Sequence, residues 1–130
     1  MSFDTAFFIF ESDRSRFLTD RDFFVEIPPG ISGKEELFSK LSQFLRLPEY
    51  FGRNWDALEE CLRDLSWILE RRIVIFHHDL PMSGQQRDQL TYLSILPSFI
   101  KDWKESDEHD LRIVFHPSCR DEVNRLSSQD

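Results

Sequence analysis

The chain has 130 residues, 40% of them hydrophobic, with thirteen Phe, three Trp and a formal net charge of −8. That length suits one domain, residues 1–130, around one aromatic-rich core. The acidic balance repels the phosphates of nucleic acids and membranes, so neither is expected as a direct ligand, and a basic protein partner is favoured instead. Two cysteines, Cys61 and Cys119, are too few for a secreted disulfide framework and read as reduced thiols in a cytoplasmic protein. The first residues carry no basic start and no small-residue cleavage site, and no run is long enough to span a bilayer.

Thr5–Phe10 and Asp22–Ile27 are rich in aromatic and branched residues and read as strands. The charged stretch between them suits an exposed hairpin connection, which sets the first strand beside the second and makes residues 1–21 an N-terminal extension. Pro28–Gly30 ends the second strand. Ser32 and Glu35 have the spacing of a capping box, ahead of a helix burying Leu37, Leu41, Phe44 and Leu45. Leu47-Pro48 stops that helix, because the residue before proline avoids the helical region. Asn54 is a good N-cap for a second helix. There Leu58, Cys61, Leu62 and Leu65 form an apolar stripe, with Asp56, Glu60, Arg63, Asp64 and Trp67 opposite.

Arg72–His77 reads as a buried strand. Leu90, Leu93, Leu96, Ile100 and Trp103 recur at helical spacing, with Pro97 expected to kink or divide that segment. Leu111–Phe115 is the last strand, and the tail from Pro117, residues 117–130, suits a short helix through Val123 and Leu126. Strands alternating with helices argue for an α/β layout with parallel strands and helical crossovers.

Few residues have the spacing of catalysis. His77 and His78 are adjacent on a strand and point to opposite faces. They read, with His109 and His116, as strand-end or surface residues. No Cys or His pairs have zinc spacing, and there is no glycine-rich phosphate loop and no G-x-S-x-G elbow. No metal, cofactor or small-molecule substrate is expected. Cys61 lies on the apolar stripe and reads as a buried structural thiol. Asp56 and Glu60 stand one turn apart, a spacing open to a catalytic acid pair. A convex helix face lacks the concave, dry site that such chemistry needs, so no enzyme is expected. Tyr50, Phe51, Trp55 and Trp67 flank the acids, and aromatics beside charges have the composition of a binding hot spot.

The stretch "LPEYFGRNWDALEECL", Leu47–Leu62, resembles the signature of the barstar family, intracellular inhibitors of the secreted ribonuclease barnase. Upstream, Val25, Ile31, Leu37, Leu41 and Leu45 fall at family-like apolar spacings. Downstream, "RRIVIFHHD" and "DLRIVF" resemble family strands, so that the likeness covers Asp22 to Phe115. The resemblance implies a barstar-like fold: a small three-stranded parallel sheet packed with helices, here with an extra N-terminal strand. It further implies a non-catalytic inhibitor or immunity protein that plugs the active site of a basic nuclease toxin with acids in place of RNA phosphate. By motif, Tyr50, Gly52, Asn54 and Asp56 carry over to partner binding. Glu60 takes the place of the family's principal aspartate, Trp67 matches an aromatic beyond the helix, and Glu105 matches a second acid. Glu59, Arg53 and Trp55 stand where the family has a tryptophan, an acid and an aliphatic residue. These departures are expected on the binding face, so the target is expected to differ. A binding module of this fold that regulates a non-nuclease partner is the alternative.

Overall fold

A computed structural model describes residues 3–104 and 108–128. Its centre is a parallel sheet of four strands: β1 (Phe8–Phe10), β2 (Phe23–Ile27), β3 (Arg72–His77) and β4 (Asp110–Phe115), in spatial order β1-β4-β3-β2. Four helices accompany it: α1 (Lys34–Phe44), α2 (Trp55–Asp64), α3 (Gln86–Lys104) and α4 (Arg120–Ser127). Strand β3 lies inside the sheet and is apolar on both faces, as a parallel strand covered on both sides must be. Strand β2 lies at an edge, and Phe23, Val25 and Ile27 face inward in strict alternation.

The two faces are covered differently. On one, Ile73, Ile75, Leu111, Ile113 and Phe115 join Leu37, Phe38 and Leu41 of α1, Leu58 and Leu62 of α2, Leu93 and Leu96 of α3, and Val123 and Leu126 of α4 in the main core. On the other, Val74, Phe76 and Val114 form a smaller cluster, packed by Ile9, Phe24 and Phe17. Phe17 belongs to the link between β1 and β2.

The sheet corrects the expected placement of the first strand. β1 pairs in parallel with β4, Phe8 opposite Ile113 and Phe10 opposite Phe115, at the far edge from β2. Residues 11–22 are therefore a crossing and not a hairpin. Phe8 lies edge-on to Phe115 at 5.3 Å between ring centroids, and Phe17 packs on Phe76 at 6.4 Å, so both ends of this arrangement bury aromatic surface. Arg14 pairs with Glu26 across the crossing. The first turn of the expected strand, Thr5–Phe7, is a 3-10 turn capped by Asp4.

Smaller corrections follow the same physics. The N-cap of α1 is Gly33 and makes no side-chain cap; Glu36, not Glu35, accepts a hydrogen bond from the Ser32 N–H at 3.0 Å. Phe38 joins the core of α1, while Phe44 is half-buried. The helix stops at Phe44, before the proline, as Arg46 turns left-handed at φ 55. Helix α3 runs unbroken through Pro97. An interior proline costs about 3 kcal/mol. Leu93, Leu96, Phe99, Ile100 and Trp103 are all buried on either side of it, and each contributes about 1.5–3 kcal/mol of burial. Packing therefore outweighs the proline.

Candidate partner-binding surface

Helix α2 is fixed from both ends. At its start, Asn54 Oδ1 accepts the Ala57 N–H at 2.8 Å. Gly52 leaves room beside the cap: a Cβ there would stand 3.3 Å from Asn54 Nδ2 and 3.6 Å from the Ala57 Cβ. At its end, Leu65 adopts the left-handed conformation, φ 46, and its N–H donates to Cys61 O at 3.1 Å. A left-handed residue with a side chain costs about 1–2 kcal/mol. Full burial of the Leu65 side chain returns about as much or more.

The last carbonyls of a helix lack helical partners, and Leu65 O accepts the Ile68 N–H at 3.1 Å. Ring nitrogens reach them. Trp103 Nε1–H donates to Leu62 O at 3.0 Å, and His109 Nε2 lies 3.0 Å from Leu65 O. His109 Nδ1 stands 3.0 Å from Glu70 O. Trp67 Nε1–H donates to Leu45 O, beyond the end of α1, at 2.8 Å. Trp67 is thus half-buried and tied to backbone, which corrects its expected place opposite the stripe: α2 ends at Asp64, three residues short of it. His77, the last residue of β3, and His109 are both buried, which corrects the surface reading of these two.

Leu58, Cys61, Leu62 and Leu65 are all buried, as the stripe predicts. Burial is the main influence that pushes the Cys61 thiol pKa up, followed by the negative charges of Asp64 and Glu60 on the opposite side. Asp56, Glu60 and Asp64 are exposed and stand one turn apart in succession. Among the described residues they make no ion pair. Asp56 sits in the first turn, where the helix dipole favours an acid. Asp64 ends the helix, where the dipole opposes one.

The cations of this segment are held elsewhere. Arg63 pairs with Glu59 at 2.9 Å, approaches Asp102 of α3 at 3.8 Å and lies over the Phe99 ring. Arg53, left-handed at φ 53, turns back onto α1, where its guanidinium donates to Ser39 Oγ at 2.7 Å and Glu35 O at 3.3 Å. Trp55 packs edge-on against Phe38 at 4.9 Å and lies 6.2 Å from the Tyr92 ring. These internal contacts hold both residues in place, Arg53 exposed and Trp55 half-buried. Glu59 remains at the margin, half-buried beside Arg63.

Tyr50 is the large aromatic left open, 74% exposed on the turn before α2, and Phe51 is buried against Phe38. Sequence reasoning missed Leu69, 91% exposed after α2. In "LSWILER" buried and exposed residues alternate without a helix or strand to give them a period, so no pattern marks it. Glu105 lies outside the described residues.

The profile of the family described as Barstar (barnase inhibitor) matches residues 13–116. The chain belongs to the barstar family. The match starts within the crossing between β1 and β2, earlier than the resemblance read from Asp22 onward, and leaves β1 and α4 outside it. No curated protein matches the chain. Among the described residues, no helix is long and apolar enough to cross a membrane, and no group of three or more His, Cys, Asp or Glu is placed to hold a metal ion.

Proposed function

We propose that this barstar-family chain is a non-catalytic inhibitor, of the immunity or antitoxin kind, that acts in the cytoplasm on a basic ribonuclease or related nuclease toxin. The observation that carries this reading is the unpaired row Asp56, Glu60 and Asp64, exposed beside Tyr50 on a helix fixed at both ends. A ribonuclease holds phosphate with cations, so its empty site is positive. A carboxylate entering it regains in charged hydrogen bonds what it loses in hydration, provided that the geometry is good. A helix already held by its cap and by ring N–H groups loses little freedom on docking. Tyr50 supplies an amphipathic ring at the edge, and Leu69 extends the apolar margin. Gly52 and Asn54, both exposed, and the half-buried Trp55 and Trp67 are proposed contacts beside the row. Glu59 and Glu105 complete the set of proposed contacts.

The test is inhibition of RNA cleavage by a barnase-type ribonuclease, together with calorimetric titration. Glu60→Ala is expected to weaken binding by about 2–5 kcal/mol, the usual cost of leaving a buried interfacial charge unpaired, a range to which the barnase–barstar pair itself contributes. Asp64→Ala, on the rim, should cost roughly 0–1 kcal/mol. A Glu60→Ala protein that melts like the parent and inhibits equally well moves the surface elsewhere. A parent that binds a non-nuclease protein and no ribonuclease supports the regulatory alternative. That reading is favoured by Glu59, which is already paired with Arg63 within the chain.

A further inference from the structure

His77 and His109 are both buried but meet different kinds of partner. His77 sets one ring nitrogen against a carbonyl, Val114 O, and the other against the Tyr92 hydroxyl, which can donate as well as accept. A neutral ring satisfies both. His109 is placed otherwise. Its Nδ1 stands 3.0 Å from Glu70 O and its Nε2 stands 3.0 Å from Leu65 O, and a carbonyl can only accept. A neutral imidazole carries one N–H, so one of these contacts then sets a bare lone pair against a carbonyl oxygen. A change of tautomer moves that defect from one carbonyl to the other without removing it. Only the doubly protonated ring donates to both.

The surroundings hold the ring to these two carbonyls. His109 is 5% exposed, and Trp103 meets it edge-to-face at 5.0 Å between ring centroids. Trp103 is itself tied through its N–H to Leu62 O. On one side the contact continues into the end of α2, where the Leu65 N–H donates to Cys61 O and Leu65 O accepts the Ile68 N–H, both at 3.1 Å. On the other it leads to Arg71 O, which accepts the Asp110 N–H at 2.7 Å. The two carbonyls therefore bracket the loop 65–70, which carries Trp67 and Leu69 at the margin of the proposed partner surface.

We propose that His109 is a proton-operated latch: protonation of its ring fastens both ends of the loop 65–70, and loss of the proton releases one of them. The negative end of the α2 dipole lies on this side and favours a cation. The charged groups at the ends of the elements packed there are the acids Asp64, Glu70, Asp102, Glu108 and Asp110 and the bases Arg63 and Arg71. Arg63 is paired with Glu59, and Asp110 with Arg112. Glu105 and Asp107, in the connection before His109, lie outside the described residues. The proton and the closed loop favour each other, so acid tightens the loop and base loosens it.

The test is amide hydrogen exchange of the full chain at pH 8 and pH 5, which spans the range where histidine changes charge, with rates corrected for the intrinsic effect of pH. The Leu65 and Ile68 amides should be about tenfold better protected at pH 5, the worth of one hydrogen bond from a charged donor. His109→Gln, whose amide group donates at every pH, should show no such gain. Long-range nitrogen–proton NMR spectra of the parent decide the matter even if that variant fails to fold. At pH 5 both His109 ring nitrogens should carry protons, and the Leu65 and Ile68 amide shifts should follow that change, while His77 keeps a single ring proton. Equal protection of the parent at the two pH values, an equal gain in His109→Gln, or a His109 ring with one proton at pH 5 overturns the proposal. None of these readouts involves a partner, so failure of the latch is distinct from failure of the inhibitor reading.

Discussion

His77 gives the sharpest test of the core, because it is a titratable group sealed between sheet and helix. Its side chain is fully buried. Nδ1–H donates to Val114 O at 3.0 Å, Nε2 accepts the Tyr92 hydroxyl proton at 2.7 Å, and the ring stacks on Phe115 at 4.2 Å. That pattern uses the neutral ring completely. Burial, with a smaller push from neighbouring His78, lowers the His77 pKa from 6.5 to about 4, against the hydrogen bond to Val114 O, which acts the other way. The unfolded chain takes up this proton near pH 6.5, while the folded chain resists until about pH 4. Between those values the unfolded state binds more protons, so stability must fall as pH falls.

The size of the loss follows from the two pKa values. At 1.36 kcal/mol per unit, it reaches about 2 kcal/mol at pH 5 and about 3 kcal/mol at pH 4, relative to neutral pH. Glu26, held below its ordinary value chiefly by Arg14, and Glu122, held down by Arg125, also lose stability in acid. The assay must therefore be differential. Urea unfolding of the parent and of His77→Gln, which is neutral and both donates and accepts, is compared at pH 7.0 and 5.0. The variant is less stable at pH 7, but its loss on acidification should be smaller by about 2 kcal/mol. Equal losses in the two proteins would refute the reasoning.

Other consequences are simpler to read. Cys61, buried and with its thiol pKa raised, should resist a thiol reagent in the native state and react at once in urea; immediate native reaction would put the α2 stripe in the wrong register. Asn54→Ala removes the α2 cap and should cost about 1 kcal/mol in a urea melt. His109→Ala removes a buried ring whose nitrogens stand 3.0 Å from the Leu65 and Glu70 carbonyls, one of which takes its N–H, and should cost about 1–3 kcal/mol, a loss visible as a lowered Tm.

How much of this was legible depends on the range over which each contact acts. Local periodicity located β3 at Arg72–His77, the α2 stripe and the Asn54 cap, because their signals lie within a few residues. The place of β1 was hidden. Its partner β4 is about a hundred residues away in sequence, and parallel pairing leaves no turn signature. His77 and His109 looked peripheral because their partners, Tyr92 and Val114 for one and Leu65 and Glu70 for the other, are brought to them by the fold. Trp67 and Trp103 raise the same difficulty: an indole that meets a backbone carbonyl and one that awaits a partner have the same letter. Pro97 failed as a divider because its local cost was outweighed by burial on both sides.

The departures from the family motif take on a different meaning once placed. On sequence, Arg53, Trp55 and Glu59 altered the binding face and argued for a different target. In the structure the Arg53 guanidinium is bound to α1 and the Trp55 ring lies against Phe38 and Tyr92, so both serve the seating of α2. Glu59 is drawn into the pair with Arg63 at the α3 side. Tyr50, Asp56, Glu60 and, at the helix end, Asp64 are exposed and make no such internal pairs among the described residues. Of these, Tyr50 and Asp56 follow the motif, and Glu60 stands in place of its aspartate. Asp64 stands where the helix dipole opposes a negative charge by roughly 0.3–1 kcal/mol, and Arg63, the basic residue of that turn, pairs with Glu59 and Asp102 instead. An acid kept at an unfavourable helix end, in line with two others and apart from the core stripe, is better accounted for by a basic partner than by the stability of the fold.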